Sequence, residues 1–319
     1  MPRQPGLGNG LAQRTGGSLM SEAAGHAKAR AALVSVASNT ALTGTKLAAG
    51  IVTHSVSVLS EALHSGLDLA AALMAFAAVR RARQPPDADH NFGHGKFESL
   101  SGLAEGALIL VAVGLILWGA IRRLWVGQIE IVRPELGALV MGFSAVVNMF
   151  VSRMLFRVAR KTESVALEAD AWHLRTDVWT SAGVLAGMVL IGIGQRFGLV
   201  RTHIVDPIIA IGVAALIARA AWDVIHRSYD HLVDRSLPSE EVQRLVSLLE
   251  EHYPQFSGFH RLRTRRAGSQ RYVDVHLVVP GDESVAASHA LCDHLEQDLR
   301  RMLPGAEIMI HVEPEGHDG

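Results

Sequence analysis

The chain has 319 residues, 49% of them hydrophobic and only 19% charged, with a formal net charge of −1 at pH 7. Soluble domains carry about 25% charged residues, so this composition excludes a disordered chain, a collagen and a coiled coil, and the charge balance gives nucleic acid nothing to bind. The single cysteine, Cys292, excludes a disulfide scaffold and any multi-cysteine zinc site, whereas histidine is over-used, with 16 copies.

In chain order, residues 1–27 are Gly-rich (PRQPGLGNGLAQRTGGS) and predict a disordered N-terminus. No apolar h-region occurs there, so no cleavable signal peptide is expected. Long apolar runs follow at about 31–52, 57–80, 100–122, 134–157, 168–195 and 204–226. Each approaches the roughly 20 apolar residues that a membrane-crossing helix needs, and small residues in several of them suit close packing in lipid. The expectation is a domain of six transmembrane helices over residues 28–236. Arg80, Arg81, Arg83, Lys96, Arg153, Arg157, Arg160 and Lys161 fall in the even-numbered loops. That excess puts both termini in the cytosol by the positive-inside rule.

Residues 237–319 lose the apolar runs and read as a cytosolic α+β domain of order αββαβ. Residues 239–251 predict a helix capped by Ser239. Residues 259–266 and 271–279 (RYVDVHLVV) alternate as strands around an Ala-Gly-Ser turn. Residues 283–303 predict a second helix ended by Pro304-Gly305, and 306–312 (AEIMIHV) a third strand.

Ionisable residues at membrane depth are functional candidates by default. The second span contains SEALHSGLDL, with His64 and Asp68 four apart; the fifth contains EADAWHLRTDVW, with His173 and Asp177 four apart. That spacing puts each pair on one helix face. One such pair reads as a structural hydrogen-bond partner. Two copies in different spans predict a four-ligand N2O2 site suited to zinc. Glu61, Glu105, Glu168 and Lys46 read as pathway-lining or helix-pairing residues. In the loop after the second span, Asp87, His90 and His94 offer a second ligand set, against the plainer reading of a solvated loop with glycine turns. In the tail, His260, His276 and His311 fall on predicted strands, His289 on the helix, and Glu313 shares a sheet face with His311, which suggests a third site. His252, His294 and His317 read as surface residues.

HSGLD with His64 and Asp68, FGHGKFESL at 92–100, the His173/Asp177 pair and the VDRSLPSEE junction at 233–241 together resemble the cation diffusion facilitator family over nearly all of residues 28–319. The resemblance implies six helices carrying the transport site and a metallochaperone-like C-terminal domain. It also implies a homodimer that exports divalent metal from the cytosol, across a bacterial inner membrane, in exchange for protons. His64, Asp68, His173 and Asp177 match the transport-site positions. Asp87, His90 and His94 match a loop site; His260, His276, His289, His311 and Glu313 match a binuclear cytosolic site. Lys96 and Asp234 match an ionic lock between domains or subunits. His64 stands where bacterial zinc and cadmium exporters often have Asp, and Glu313 where they carry Asp.

The expected function is zinc/proton antiport by alternating access, with zinc both transported and regulatory and no organic cofactor. The same transporter working on Cd2+, Fe2+, Co2+ or Mn2+ is one alternative; two imidazoles disfavour manganese, while ligand type does not separate zinc from cobalt or cadmium. An intramembrane metallo-hydrolase is another, although no His-Glu-x-x-His occurs.

Overall fold

The computed structural model describes residues 8–53, 56–126, 134–196, 205–252 and 255–316, and the side chains of some helical residues, His64 among them, lie outside the described set. The chain divides into two units, His26–Tyr229, and Asp230–Gly319 together with Met1–Gly25.

The first unit is helical. Its helices are α1 (Gly8–Thr53), α2 (Val56–Ala82), α3 (Lys96–Val126), α4 (Pro134–Thr162), α5 (Val165–Arg196) and α6 (Val205–Leu232), the first and last running beyond the unit's ends. α1 begins at Gly8, so most of the stretch expected to be disordered is helix instead. After Pro5 no proline interrupts it, and Ala23, Ala24, Ala27 and Ala29 favour helix strongly. Lys96–Arg122 and Gly142–Thr162 are, among the described residues, the helical stretches long and apolar enough to cross a membrane by length and composition.

These helices pack through small residues and expose large ones. On α2, Ala71, Ala72, Ala75 and Ala78 are buried, whereas on α3 Leu108, Val111, Leu115 and Trp118 are exposed at helical spacing. Such apolar rows on the outside, with small residues inside, suit helices solvated by lipid rather than water. α3 also carries Gly102 and Gly106. A Cβ at Gly106 would lie 2.6 Å from Ile225 Cγ1 on α6, and one at Gly102 would lie 2.6 Å from Ser228 Oγ and 2.9 Å from Val165 Cγ1, so only glycine permits this approach. One core joins α1, α2, α4 and α5 around Val79, Leu155, Leu167 and Leu174; another joins α3 and α6 around Ile109, Val113 and Ile217. A buried ion pair, Lys28 Nζ to Glu98 Oε1 at 2.7 Å, ties α1 to the first turn of α3. Ser164, just ahead of α5, donates to the other Glu98 oxygen.

The C-terminal unit contains α7 (Ser239–Glu251), β1 (Gly258–Ala267), β2 (Gln270–Val279), α8 (Val285–Met302) and β3 (Glu307–Pro314). The expected αββαβ order is present. β2 lies between β1, to which it is antiparallel, and β3, to which it is parallel. Gly268, at φ +61, makes the tight turn of the hairpin. Val273, Val275, Leu277 and Val279 of β2 alternate onto one face, where they form a core with Leu245 and Leu249 of α7 and Leu295 and Leu299 of α8. The intervening residues, His276 among them, point to the opposite face. One capping expectation is corrected. Pro238, not Ser239, is the N-cap of α7 and makes no side-chain bond. Its carbonyl instead accepts from the Glu241 and Val242 N–H groups. Ser284 caps α8, accepting from Ala287 N–H at 3.2 Å.

Candidate metal centres

Asp68 reaches inward from α2, and His173 and Asp177 from successive turns of α5. His173 Nε2 lies 3.1 Å from Asp68 Oδ1, and one donor atom from each of the three residues falls within 4.8 Å of the other two. Asp68 is buried and the other two are half-buried. Two anionic carboxylates and an imidazole gathered in an apolar surround are stabilised by a shared cation or by protons, so the group can hold either. His64 stands one turn before Asp68 on α2, and its side chain is outside the described residues. Asn148 of α4, absent from the sequence expectation, donates to Asp177 Oδ2 at 3.4 Å and orients that carboxylate. Glu105 and Asp170, three residues before His173, are fully buried in the same unit. Asp170 sits outside the His-x-x-x-Asp spacing, and its only sequence signal is a carboxylate inside an apolar span.

The loop between α2 and α3 brings Asp87, His90 and His94 together. Asp87 Oδ1 accepts from the His90 backbone N–H at 2.7 Å and lies 3.2 Å from His90 Nδ1; Asp87 Oδ2 lies 3.3 Å from His94 Nε2. The backbone bond from His90 is the main cause holding the Asp87 carboxyl below the usual carboxylate range. His94 is buried and its Nδ1 lies 3.4 Å from the Gln84 carbonyl, a donation that leaves Nε2 as the lone-pair nitrogen. The turn depends on Gly93 at φ +76, whose N–H bonds the His90 carbonyl at 2.8 Å.

In the C-terminal unit the strand register does the assembling. His260 pairs with His276 across β1 and β2, and His276 pairs with His311 across β2 and β3, which puts three imidazoles in a row on the open face. Glu313, two residues beyond His311, is buried at their centre: His276 Nδ1 lies 2.6 Å, His260 Nε2 3.1 Å and His311 Nε2 3.6 Å from its oxygens. The bond from His276, with the charges on the three histidines, holds the Glu313 carboxyl below its ordinary range. Immediately after His260 the register shifts, and Arg261 adopts φ +49, a bulge that re-aims the strand beside the site. His289, expected in this cluster, is not brought to it. It lies on α8, which packs on the other face, and its Nε2 is 3.9 Å from Asp293 one turn along the same helix.

One surface expectation is corrected as well: His252 is half-buried, whereas His294 is exposed as expected. Both converge on Asp298 to form a further group of donor atoms within 4.8 Å of one another; His317 lies outside the described residues. Lys96 opens α3 in the helical unit, whereas Asp234 belongs to the C-terminal unit, where Arg265 Nη1 lies 3.4 Å from its Oδ1.

Comparison with known proteins agrees with both units. The family model for the cation efflux transmembrane domain matches residues 32–233, and that for the cation efflux protein cytoplasmic domain matches 237–315. The chain therefore belongs to the cation efflux, or cation diffusion facilitator, family: it is a membrane transporter and not an enzyme. It is 36% identical over 283 residues, 89% of each chain, to the uncharacterized transporter sll1263 of Synechocystis. It is 32% identical over 301 residues, 92% of this chain and 95% of the relative, to the cation-efflux pump FieF of Klebsiella pneumoniae. Among solved structures, CzrB in its zinc form is 45% identical over 27% of this chain and 98% of its own, with a TM-score of 0.26. The metal-bound C-terminal domain of CzcD from Thermotoga maritima is 27% identical over 25% and 93%, with a TM-score of 0.24.

Proposed function

We propose that this cation efflux transporter is a zinc/proton antiporter, a homodimer of six-span protomers in a bacterial inner membrane with both termini in the cytosol. The observation that carries the reading is the meeting of Asp68 from α2 with His173 and Asp177 from α5. His64 completes the set as the fourth ligand, giving the nitrogen–oxygen balance that zinc favours. Arg153, Arg157, Arg160, Lys161 and Arg175 line one groove of about 590 Å³ in the helical unit, in keeping with a cytosolic side rich in positive charge.

Zinc enters this site as substrate. Binding requires neutral imidazoles and ionised carboxylates, so protons compete for the same four side chains. With the site turned toward a more acidic compartment, protonation of His64 or His173 weakens it and the ion leaves. The protonated, metal-free site then returns and carries protons inward. Repacking of the helices, rather than chemistry, exposes the site alternately to the two sides.

The remaining ligand sets serve regulation in this reading. Asp87, His90 and His94 form a loop site in the domain of residues 28–236. His260, His276, His311 and Glu313 bind zinc in the domain of residues 237–319, with Lys96 and Asp234 as the lock between domains or subunits. Zinc on the tail shifts the dimer toward a tighter arrangement to the extent that it binds that arrangement better.

The test is flux in proteoliposomes under an imposed pH gradient, with Zn2+, Cd2+, Co2+, Fe2+ and Mn2+ compared. Zinc uptake driven by the gradient, with counterflow of protons, is expected. Flux of another ion in preference to zinc overturns the ion assignment, and flux indifferent to the gradient overturns antiport.

A further inference from the structure

The C-terminal unit carries ligand atoms on both sides of its sheet. The histidine row lies on the open face of β2, while α7 and α8 cover the other. On the helical side, His252 follows the last turn of α7, and His294 and Asp298 stand four apart on α8, on one helix face. We propose that His252, His294 and Asp298 form a divalent-cation site of the kind zinc prefers, separate from the His260–His276–Glu313 cluster and clamping the end of α7 to α8.

Three features argue for a metal rather than a chance meeting. The first is distance. His252 Nε2 lies 3.2 Å and His294 Nε2 3.6 Å from the same oxygen, Asp298 Oδ2. Zinc–nitrogen and zinc–oxygen bonds of about 2.0–2.2 Å in a tetrahedron put neighbouring ligand atoms roughly 3.3–3.6 Å apart. The two separations fall close to that edge before any adjustment.

The second is the way two of the ligands, His252 and Asp298, are held. His252 Nδ1 donates to the Leu248 carbonyl at 2.8 Å, so in the neutral ring Nε2, 3.2 Å from a carboxylate oxygen, is the nitrogen that carries the lone pair. Lone pair and carboxylate repel unless a cation or a proton lies between them. A histidine whose second nitrogen is fixed by a backbone carbonyl is the usual form of a zinc-binding imidazole. Asp298 Oδ1 accepts from Arg301 Nη1 at 2.6 Å, so one oxygen is engaged and Oδ2 is the one that faces both imidazoles.

The third is rigidity. Leu249 and Leu295, close along the chain to His252 and His294, are buried in one cluster with Val275 and Leu277, so the core fixes both helices that supply ligands. The His294 side chain is 58% exposed, which gives an ion access and leaves room for water as the remaining ligand.

The experiment uses purified full-length protein in detergent, stripped with chelator and titrated with Zn2+, with bound zinc counted per chain. Asp298→Asn and His294→Gln should each remove one zinc per chain. His276→Ala should remove a different one, so that the double variant His276→Ala/His294→Gln loses both. The zinc-induced rise in melting temperature should shrink in Asp298→Asn and His294→Gln while the metal-free melting temperature of His294→Gln stays put. His294 is exposed, so that variant folds and the count remains readable even where Asp298→Asn is unstable. Wild-type zinc counts in both variants would overturn the site and leave His252 and Asp298 as a proton-bridged pair.

Discussion

Asp68, His173 and Asp177 show what single residues must do in a low-dielectric setting. Their donor atoms share a small volume, and the two carboxylates repel unless a cation or protons join them. Removing Asp68 or Asp177 by substitution with Ala takes away a charged ligand and some of that repulsion together. Zinc flux in proteoliposomes should fall by at least about 100-fold, while the protein still purifies as a folded species. Wild-type flux from either variant would disprove the four-ligand site. His64→Asp exchanges a borderline nitrogen for a hard oxygen and adds a negative charge. Cadmium or manganese flux should rise relative to zinc, and an unchanged ion profile would show that His64 does not set selectivity.

At the scale of elements, the helical unit depends on two close approaches. Gly102 and Gly106 of α3 admit Ser228, Val165 and Ile225 to distances that a Cβ would violate. Gly106→Val should destabilise the protein by about 1–3 kcal/mol through overpacking, read as a lower melting temperature in detergent. Glu98 is a different case. It is buried with Lys28 and accepts from Ser164, so α1, α3 and the start of α5 meet on one carboxylate. Glu98→Gln removes the carboxylate charge that faces the buried Lys28 ammonium and should destabilise the protein, by up to about 3–5 kcal/mol; Lys28→Met/Glu98→Leu should recover much of that loss. Thermal melting of the two variants side by side checks the sign of the difference. In the tail, the β1–β2–β3 register supplies geometry that no single strand contains: one-residue slippage of β2 would send His276 to the core face and Val275 or Leu277 outward.

For the whole molecule, the placing of the Asp68–His173–Asp177 group and the His260–His276–Glu313 group in different units makes the proposed division of labour testable. His276→Ala removes the residue bonded to Glu313 but touches none of Asp68, His173 or Asp177. Zinc flux by the full-length variant should fall only partly, mainly at low zinc, and dimer tightening by zinc should weaken. Complete loss of flux from a well-folded variant would put the tail on the ion path.

The composition, the apolar runs and the two His-x-x-x-Asp pairs are properties of local sequence, and from them a helical membrane domain and the tail's αββαβ order were legible, while the family came from the resemblance of whole motifs. Period and spacing carry that information because a helix puts residues four apart on one face and a strand alternates its faces. What only the tertiary structure decided is which faces meet. His252 lies 46 positions from Asp298, and nothing local to either predicts that α7 and α8 cross where their rings and carboxylate converge. The same holds for Asn148 beside Asp177, 29 positions apart, and for Lys28 with Glu98, 70 apart. His289 illustrates the reverse: a histidine of the right type in the right domain is turned away because its helix covers the opposite face of the sheet. Contacts between distant elements follow from packing the whole core, in which side-chain volume and strand register act together, and no window of sequence contains that sum.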